Sequence, residues 1–475
     1  MSMCRGLGLL LAGAFLVGPA VMAKVYVRWT HSAVPPAKTL GVNDLVIPWG
    51  ATALTMVDAA KKQGYHVYLE VGLQEADTAA KAGGKAGIAG IVLQGSAAQQ
   101  TQLAESADKM RGKFPKLKIL VMNAHGKQPE MRGWLVFSQN GILQVSSPSS
   151  QPWLDENLAM VRYERVFEAR QTPLYSFSWD ITDPLVKENG PSATDYSLAI
   201  AEAGAFHGDL LLELYERQQK GLAGKEKQTL EDWEQVKRTI AFYEGRRDGD
   251  KEAATVAVLT DDYDTSYEET NLLSRHNVLF RVLNSAETKA TDLAEFDVVI
   301  AFAALTKDLT EALQGFAEQG GVVVAVNLPG KYPWASGAGT KTGEHSTSYT
   351  VGKGRVIELG EPVSDPETFA QDVRRLTVKQ HVPMSLWNSL TTLVVEYPGG
   401  KKGGTMVELV NYSEEPTQVQ VQVRGIFASA RYENPQQGCC EKLKAEHVDG
   451  FTQFVVPNLL TGGRVHLEGG VPSAQ

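Results

Sequence analysis

The chain has 475 residues, 43% of them hydrophobic and 21% charged, which suits about three folded domains and excludes a disordered chain. Its formal net charge of -9 excludes a general nucleic-acid binder, which needs a basic field to meet phosphates. Three cysteines are too few for a disulfide framework or a cysteine-rich metal site.

At the N-terminus, Arg5 precedes an almost wholly apolar run from Gly6 to Val21, and Val21-Met22-Ala23 places small residues before Lys24. This reads as a signal peptide over residues 1–23, the alternative being an uncleaved anchor. A secreted or periplasmic protein with no membrane association after cleavage is expected.

Eight apolar runs then alternate with helical patterns: VYVRW (25–29), DLVIPW (44–49), HVYLEV (66–71), GIAGIVLQ (87–94), LKILVMN (117–123), WLVFS (134–138), PLYSFSW (173–179) and GDLLLEL (208–214). The rhythm predicts a (β/α)8 TIM barrel over residues 24–245, irregular between the fifth and sixth strands. An open doubly wound sheet is the runner-up, but no glycine-rich phosphate loop follows the first strand.

Strand parity sorts the side chains. Val25, Val27 and Trp29 oppose Tyr26 and Arg28; Val67, Leu69 and Val71 oppose Tyr68 and Glu70. Tyr175, Phe177 and Trp179 oppose Ser176, Ser178 and Asp180; Leu210, Leu212 and Leu214 oppose Leu211, Glu213 and Tyr215. Arg28, Glu70, Asp180 and Glu213 therefore converge inward. A buried charge needs a partner, and Arg28 can serve one carboxylate. The remaining pair would repel, raising the pKa of one, which is the arrangement used in glycoside hydrolysis. Asp180, Glu213 and Glu70 are the candidate catalytic groups. Arg28, His31, Trp49, Gln94, Asn123 and Trp179 are candidate substrate-binding groups at strand ends, where a sugar would meet aromatic faces and polar rims. The plainer alternative is a barrel-core ion pair. His31, His66 and His125 stand singly, and no Gly-x-Ser-x-Gly elbow occurs, so neither a metal nor another cofactor is expected.

A charged stretch, GRRDGDKEAA (245–254), marks a boundary. TVAVLTDD, VLFRVLN, FDVVIAFA and GGVVVAVN then read as parallel strands of a flavodoxin-like α/β domain over 252–380. From Thr391 the pattern turns to alternating strands, such as TQVQVQVRG, and predicts a small β-sandwich over 388–470. Cys439 and Cys440 are adjacent; they could form a strained bridge with each other or one between molecules, but read rather as incidental residues of a turn.

This order, with TVAVLTDDYD, FDVVIAFAALT, GFAEQGGVVVAVN, GKGRVIELG and MVELVNYSEEP, resembles the beta-galactosidases of glycoside hydrolase family 42. The resemblance covers most of the mature chain as architecture. It implies a catalytic barrel, an amidotransferase-like second domain that supports oligomers, and a closing β-sandwich. In that family an Asn-Glu acid ends strand 4 and a glutamate nucleophile lies on strand 7. Here strand 4 ends in Gln94, which cannot protonate a leaving group, and strand 7 ends in Asp180. The catalytic motif is not preserved, so an acid would come from Glu70 or Glu213. The expected function is an exported glycoside-hydrolase-like protein acting on an oligo- or polysaccharide. The alternatives are a non-catalytic carbohydrate-binding barrel, or a scaffold that assembles as a homo-oligomer.

Overall fold

Seven of the predicted strands pair in parallel as the period-2 pattern requires: β1 (Val25–Arg28), β2 (Asp44–Pro48), β3 (His66–Gly72), β4 (Gly90–Gln94), β5 (Lys118–Val121), β8 (Leu174–Ser176) and β9 (Asp209–Glu213). The computed structural model describes residues 23–122, 136–139, 142–145, 156–168, 170–177, 190–244, 251–387, 389, 391–400, 404–413 and 415–470. The sheet runs β5-β4-β3-β2-β1-β9-β8, and a parallel bridge from Met122 to Leu174 brings its two edges together. The result is a near-closed TIM-type barrel wrapped by helices.

The expected sixth barrel strand is a correction. Residues 134–138 do not enter the barrel sheet. β6 (Val136–Gln139) pairs antiparallel with β7 (Ile142–Val145), and Gln139 faces Ile142. Asn140-Gly141 stands between them, the strongest short-range signal for a two-residue hairpin. Seven strands, not eight, form the described barrel.

Inside, one residue from each barrel strand meets in a packed layer: Tyr26, Val46, Tyr68, Val92, Leu120, Leu174 and Leu211. Tyr26 and Tyr68 stack edge to face at 5.3 Å. Gly90 makes this layer possible. A Cβ there would fall 2.1 Å from the Lys118 carbonyl oxygen and 2.9 Å from the Tyr68 ring. The opposite strand faces, including Val27, Trp29, Leu69 and Leu212, pack on the helices.

Helix Ala193–Ala205 is apolar nearly all round because it is covered on all sides. Ser192 and Asp195 close its first turn with a capping box. Tyr412 and Tyr175 donate to the Glu202 carboxylate on this helix, as does Asn157 Nδ2 at 2.9 Å, so the helix ties the barrel to the third domain.

The second domain holds β10 (Val256–Thr260), β11 (Phe280–Asn284), β12 (Val298–Ala301), β13 (Val322–Val326) and β16 (Gly354–Leu359) as parallel strands in the order β11-β10-β12-β13-β16. Numbered within the domain this is 2-1-3-4-5, the flavodoxin-like order. β15 (Ser346–Val351) and β14 (Gly339–Lys341) extend the edge antiparallel.

Two sheets then face each other. One runs β17 (Met384–Trp387), β20 (Thr417–Arg424), β24 (Phe451–Leu459), β23 (Glu446–Val448). The other runs β18 (Thr392–Gly400), β19 (Gly404–Asn411), β25 (Gly462–Glu468), β21 (Ser429–Asn434), β22 (Gly438–Leu443). Val407, Val419, Val421, Phe454 and Val465 lie in their shared core. Cys439 and Cys440 lie side by side on β22 rather than in a turn. Among the described residues no helix is long and apolar enough to cross a membrane.

Candidate active site at the barrel mouth

The layer above the packed lumen is polar. Two residues along from the apolar layer, five of the seven strands carry a polar residue, Arg28, Glu70, Gln94, Ser176 and Glu213, at or near the C-terminal end, where barrel enzymes carry their chemistry; β2 has Pro48 there, and Met122 follows β5. Arg28 and Glu213 are direct neighbours across the β1–β9 ladder. Arg28 Nε donates to Glu70 Oε2 at 2.6 Å, and its Nη1 lies 3.8 Å from Glu213 Oε2.

The two carboxylates differ in access. The Glu70 side chain is 2% exposed and that of Glu213 is 37% exposed, with Arg28 between them at 28%. Burial pushes the Glu213 carboxyl above its ordinary range. Arg28 opposes this, Glu70 adds to it by repulsion, and a hydrogen bond with Ser176 opposes it. The two contacts in series across a guanidinium hold Glu70 Oε2 and Glu213 Oε2 within about 9 Å of each other.

The other predicted groups divide. Gln94 ends β4 on the lumen side, half-buried and in register with Gly72. His31 sits in the loop after β1, its ring edge-on to Trp29 at 6.4 Å. Trp49 shares parity with Leu45 and Ile47 and packs against the helix-side core, so it does not join the lumen cluster. Asp180, Asn123 and Trp179 lie outside the described residues, as do His125 and Ser178.

One supporting residue gave no sequence signal. Gln219, on helix Glu216–Gly224, is buried, and its Oε1 accepts from Thr30 N at 2.8 Å and His31 N at 3.0 Å. Its Nε2 donates to Leu214 O at 2.8 Å. It clamps the loop after β1 to the end of β9, and so fixes the rim beside Arg28 and Glu213. A glutamine on a helix carries no periodic mark of such a contact. Among the described residues no metal-ligating cluster occurs at this mouth.

No family model matches the chain, and no curated protein does. Among solved structures it is similar to the alpha-L-fucosidase isoenzyme 2 from Paenibacillus thiaminolyticus, with a TM-score of 0.58 at 12% identity over 94% of this chain and 99% of that one. It also aligns with Gan42B, a family 42 beta-galactosidase from G. stearothermophilus, with a TM-score of 0.47 at 9% identity over 95% of this chain and 99% of that one. The likeness is one of fold: a TIM-type barrel followed by further domains.

Proposed function

We propose that the protein is an exported glycoside-hydrolase-like enzyme acting on an oligo- or polysaccharide, with Glu213 as general acid. The observation that carries this reading is the pairing of two unlike carboxyls around Arg28. Glu213 is accessible, with its pKa raised, as a proton donor needs; Glu70 is sealed and held by the guanidinium. Asp180, by its place in the sequence after PLYSFSW, is the proposed nucleophile or base. The second domain would then be the amidotransferase-like module that supports a homo-oligomer. The printed activities of the two solved structures make an α-L-fucoside and a β-galactoside the first substrates to try.

The test compares alkyl and nitrophenyl glycosides in wild type and Glu213→Gln. A general acid matters most for a poor leaving group, so the alkyl glycoside should lose about 100-fold or more and the nitrophenyl one much less. Equal losses on both would remove Glu213 as acid.

A second reading has its own support: Gln94 ends β4, and Glu70, buried and paired, is shielded from a substrate. It makes the barrel a carbohydrate-binding module. Saturable sugar binding with no turnover of any glycoside would favour it.

A further inference from the structure

The edge of one sandwich sheet carries a cluster that the barrel chemistry does not use. β22 is the outermost strand of that sheet and pairs with β21. Between the two the register slips. Tyr432 faces Glu441 and Asn434 faces Gly438, so the single residue Glu433 stands opposite both Cys439 and Cys440. This is a β-bulge, which sets two residues of one strand against one of its partner and re-aims side chains that would otherwise alternate. Gly438 opens it with a left-handed φ of 77°. Two cysteines and a carboxylate therefore share one spot: a sulfur from each cysteine and an oxygen of Glu433 lie within 4.8 Å of one another.

The three side chains are reachable from solvent and aimed together. Cys439 and Cys440 are exposed, and Glu433 is half-buried. One oxygen of Glu433 is engaged from behind: Oε1 lies 3.0 Å from His466 Nε2 and accepts from Arg464 Nη1 at 3.4 Å. The other, Oε2, faces the cysteines, 3.9 Å from Cys440 Sγ. Ligating carboxylates are oriented in this way, by neighbours that hydrogen-bond to them from outside the metal's own shell. Two sulfurs and one oxygen suit Zn2+, which takes thiolate sulfur at ~2.3 Å and carboxylate oxygen at ~2.0–2.2 Å. They do not suit Mg2+ or Ca2+, which take oxygen ligands. Three protein ligands leave the fourth tetrahedral position to water.

We propose that Cys439, Cys440 and Glu433 bind a zinc ion that ties the edge strand β22 to β21. Both cysteines enter as thiols and bind as thiolates, so each ion taken up releases about two protons to solvent and moves no electrons. Oxidation of the pair to a bridge consumes both ligands, so the site takes metal only while the thiols are reduced. His466 is a positioning residue that acts through Glu433. The site stands on the sandwich alone and is independent of the glycosidase reading.

The test is titration of the full chain with Zn2+ against a chromophoric chelator, in the presence of a phosphine reductant. Cd2+ serves as a spectroscopic stand-in, because its bonds to thiolates give an ultraviolet charge-transfer band. Reduced wild type should bind one Zn2+ per chain and show the band with Cd2+. Cys439→Ser and Cys440→Ser should each weaken Zn2+ at least about tenfold and diminish the band. Glu433→Gln should weaken Zn2+ about tenfold and leave the band in place. His466→Phe should weaken it about tenfold with the band intact, and should cost nothing further when Glu433 is already Gln. These side chains lie at a sheet edge, and circular dichroism checks that each variant keeps the fold. Absence of the thiolate band in reduced wild type would overturn the proposal without any variant. So would unchanged zinc affinity in Glu433→Gln or in the double variant Cys439→Ser with Cys440→Ser. Equal affinity without reductant, when no thiol titrates at these two positions, would overturn it as well, as would failure of the reductant to free two thiols more than that double variant shows.

Discussion

Replacing Arg28 by methionine keeps the bulk of the side chain and removes the guanidinium that holds Glu70. The Glu70 carboxyl is then left buried at the barrel mouth with its 2.6 Å partner gone. Breaking a buried pair costs about 3–5 kcal/mol. Arg28 is itself 28% exposed, so water can reach part of the gap and the lower end of that range, about 3 kcal/mol, is expected. Urea unfolding followed by circular dichroism at pH 7 should show the barrel midpoint lowered by about 1 M. Arg28→Met combined with Glu70→Met should recover most of the loss, since no buried charge then remains. An unchanged midpoint at pH 7, or no recovery in the double variant, would refute the ion-pair account. The same variant has a second signature. Arg28 holds the Glu213 pKa down, so its removal should move the alkaline limb of any glycosidase profile to higher pH.

Three further outcomes are expected. Gly90→Ala should fail to fold or lose more than about 3 kcal/mol, because the methyl meets the Lys118 carbonyl oxygen rather than a side chain that could move; a thermal midpoint within a degree of wild type would contradict the packing described. Glu156 is buried near Glu202, and burial, with repulsion from Glu202, raises its pKa to about 8. A raised folded pKa means that its contribution is favourable below the unfolded value and is lost as pH climbs toward 8, so Glu156→Gln should flatten the decline of melting temperature between pH 5 and pH 8. In the sandwich, Arg464 Nε donates to the fully buried Glu408 at 2.8 Å and lies over the Phe242 ring of the barrel's last helix at 4.6 Å. Arg464→Met should therefore destabilise by about 3–5 kcal/mol, read in chemical denaturation, whereas Arg464→Met with Glu408→Leu should lose much less.

Part of the site could be read without a structure because strand parity is a local rule. Alternation in VYVRW, HVYLEV and DLLLEL puts Arg28, Glu70 and Glu213 on the side opposite the aliphatic residues, and in a barrel that side is the lumen. The same rule places Trp49 with Leu45 and Ile47 on the helix side, although its position at a strand end suggested a sugar platform. Gln219 escaped because a side chain that crosses between a helix and a distant loop leaves no periodic trace.

What the amino-acid order determined by itself is therefore the class of each segment and the facing of each strand residue. Both follow from a backbone repeat of two and from boundary stretches such as GRRDGDKEAA. Pairing is another matter. WLVFS carries a strand's pattern whether it joins a barrel or folds back on its neighbour; Asn140-Gly141 after it points locally to the hairpin, and the structure pairs β6 with β7. The difference between Glu70 and Glu213 was also tertiary. Both are lumen-facing glutamates at strand ends, yet one is sealed against Arg28 and the other is open. The cluster on β22 stands between these cases. Cys439 and Cys440 are neighbours in the chain, but that Glu433 faces both follows only from the β21–β22 register, where a bulge sets two residues of one strand against one of the other.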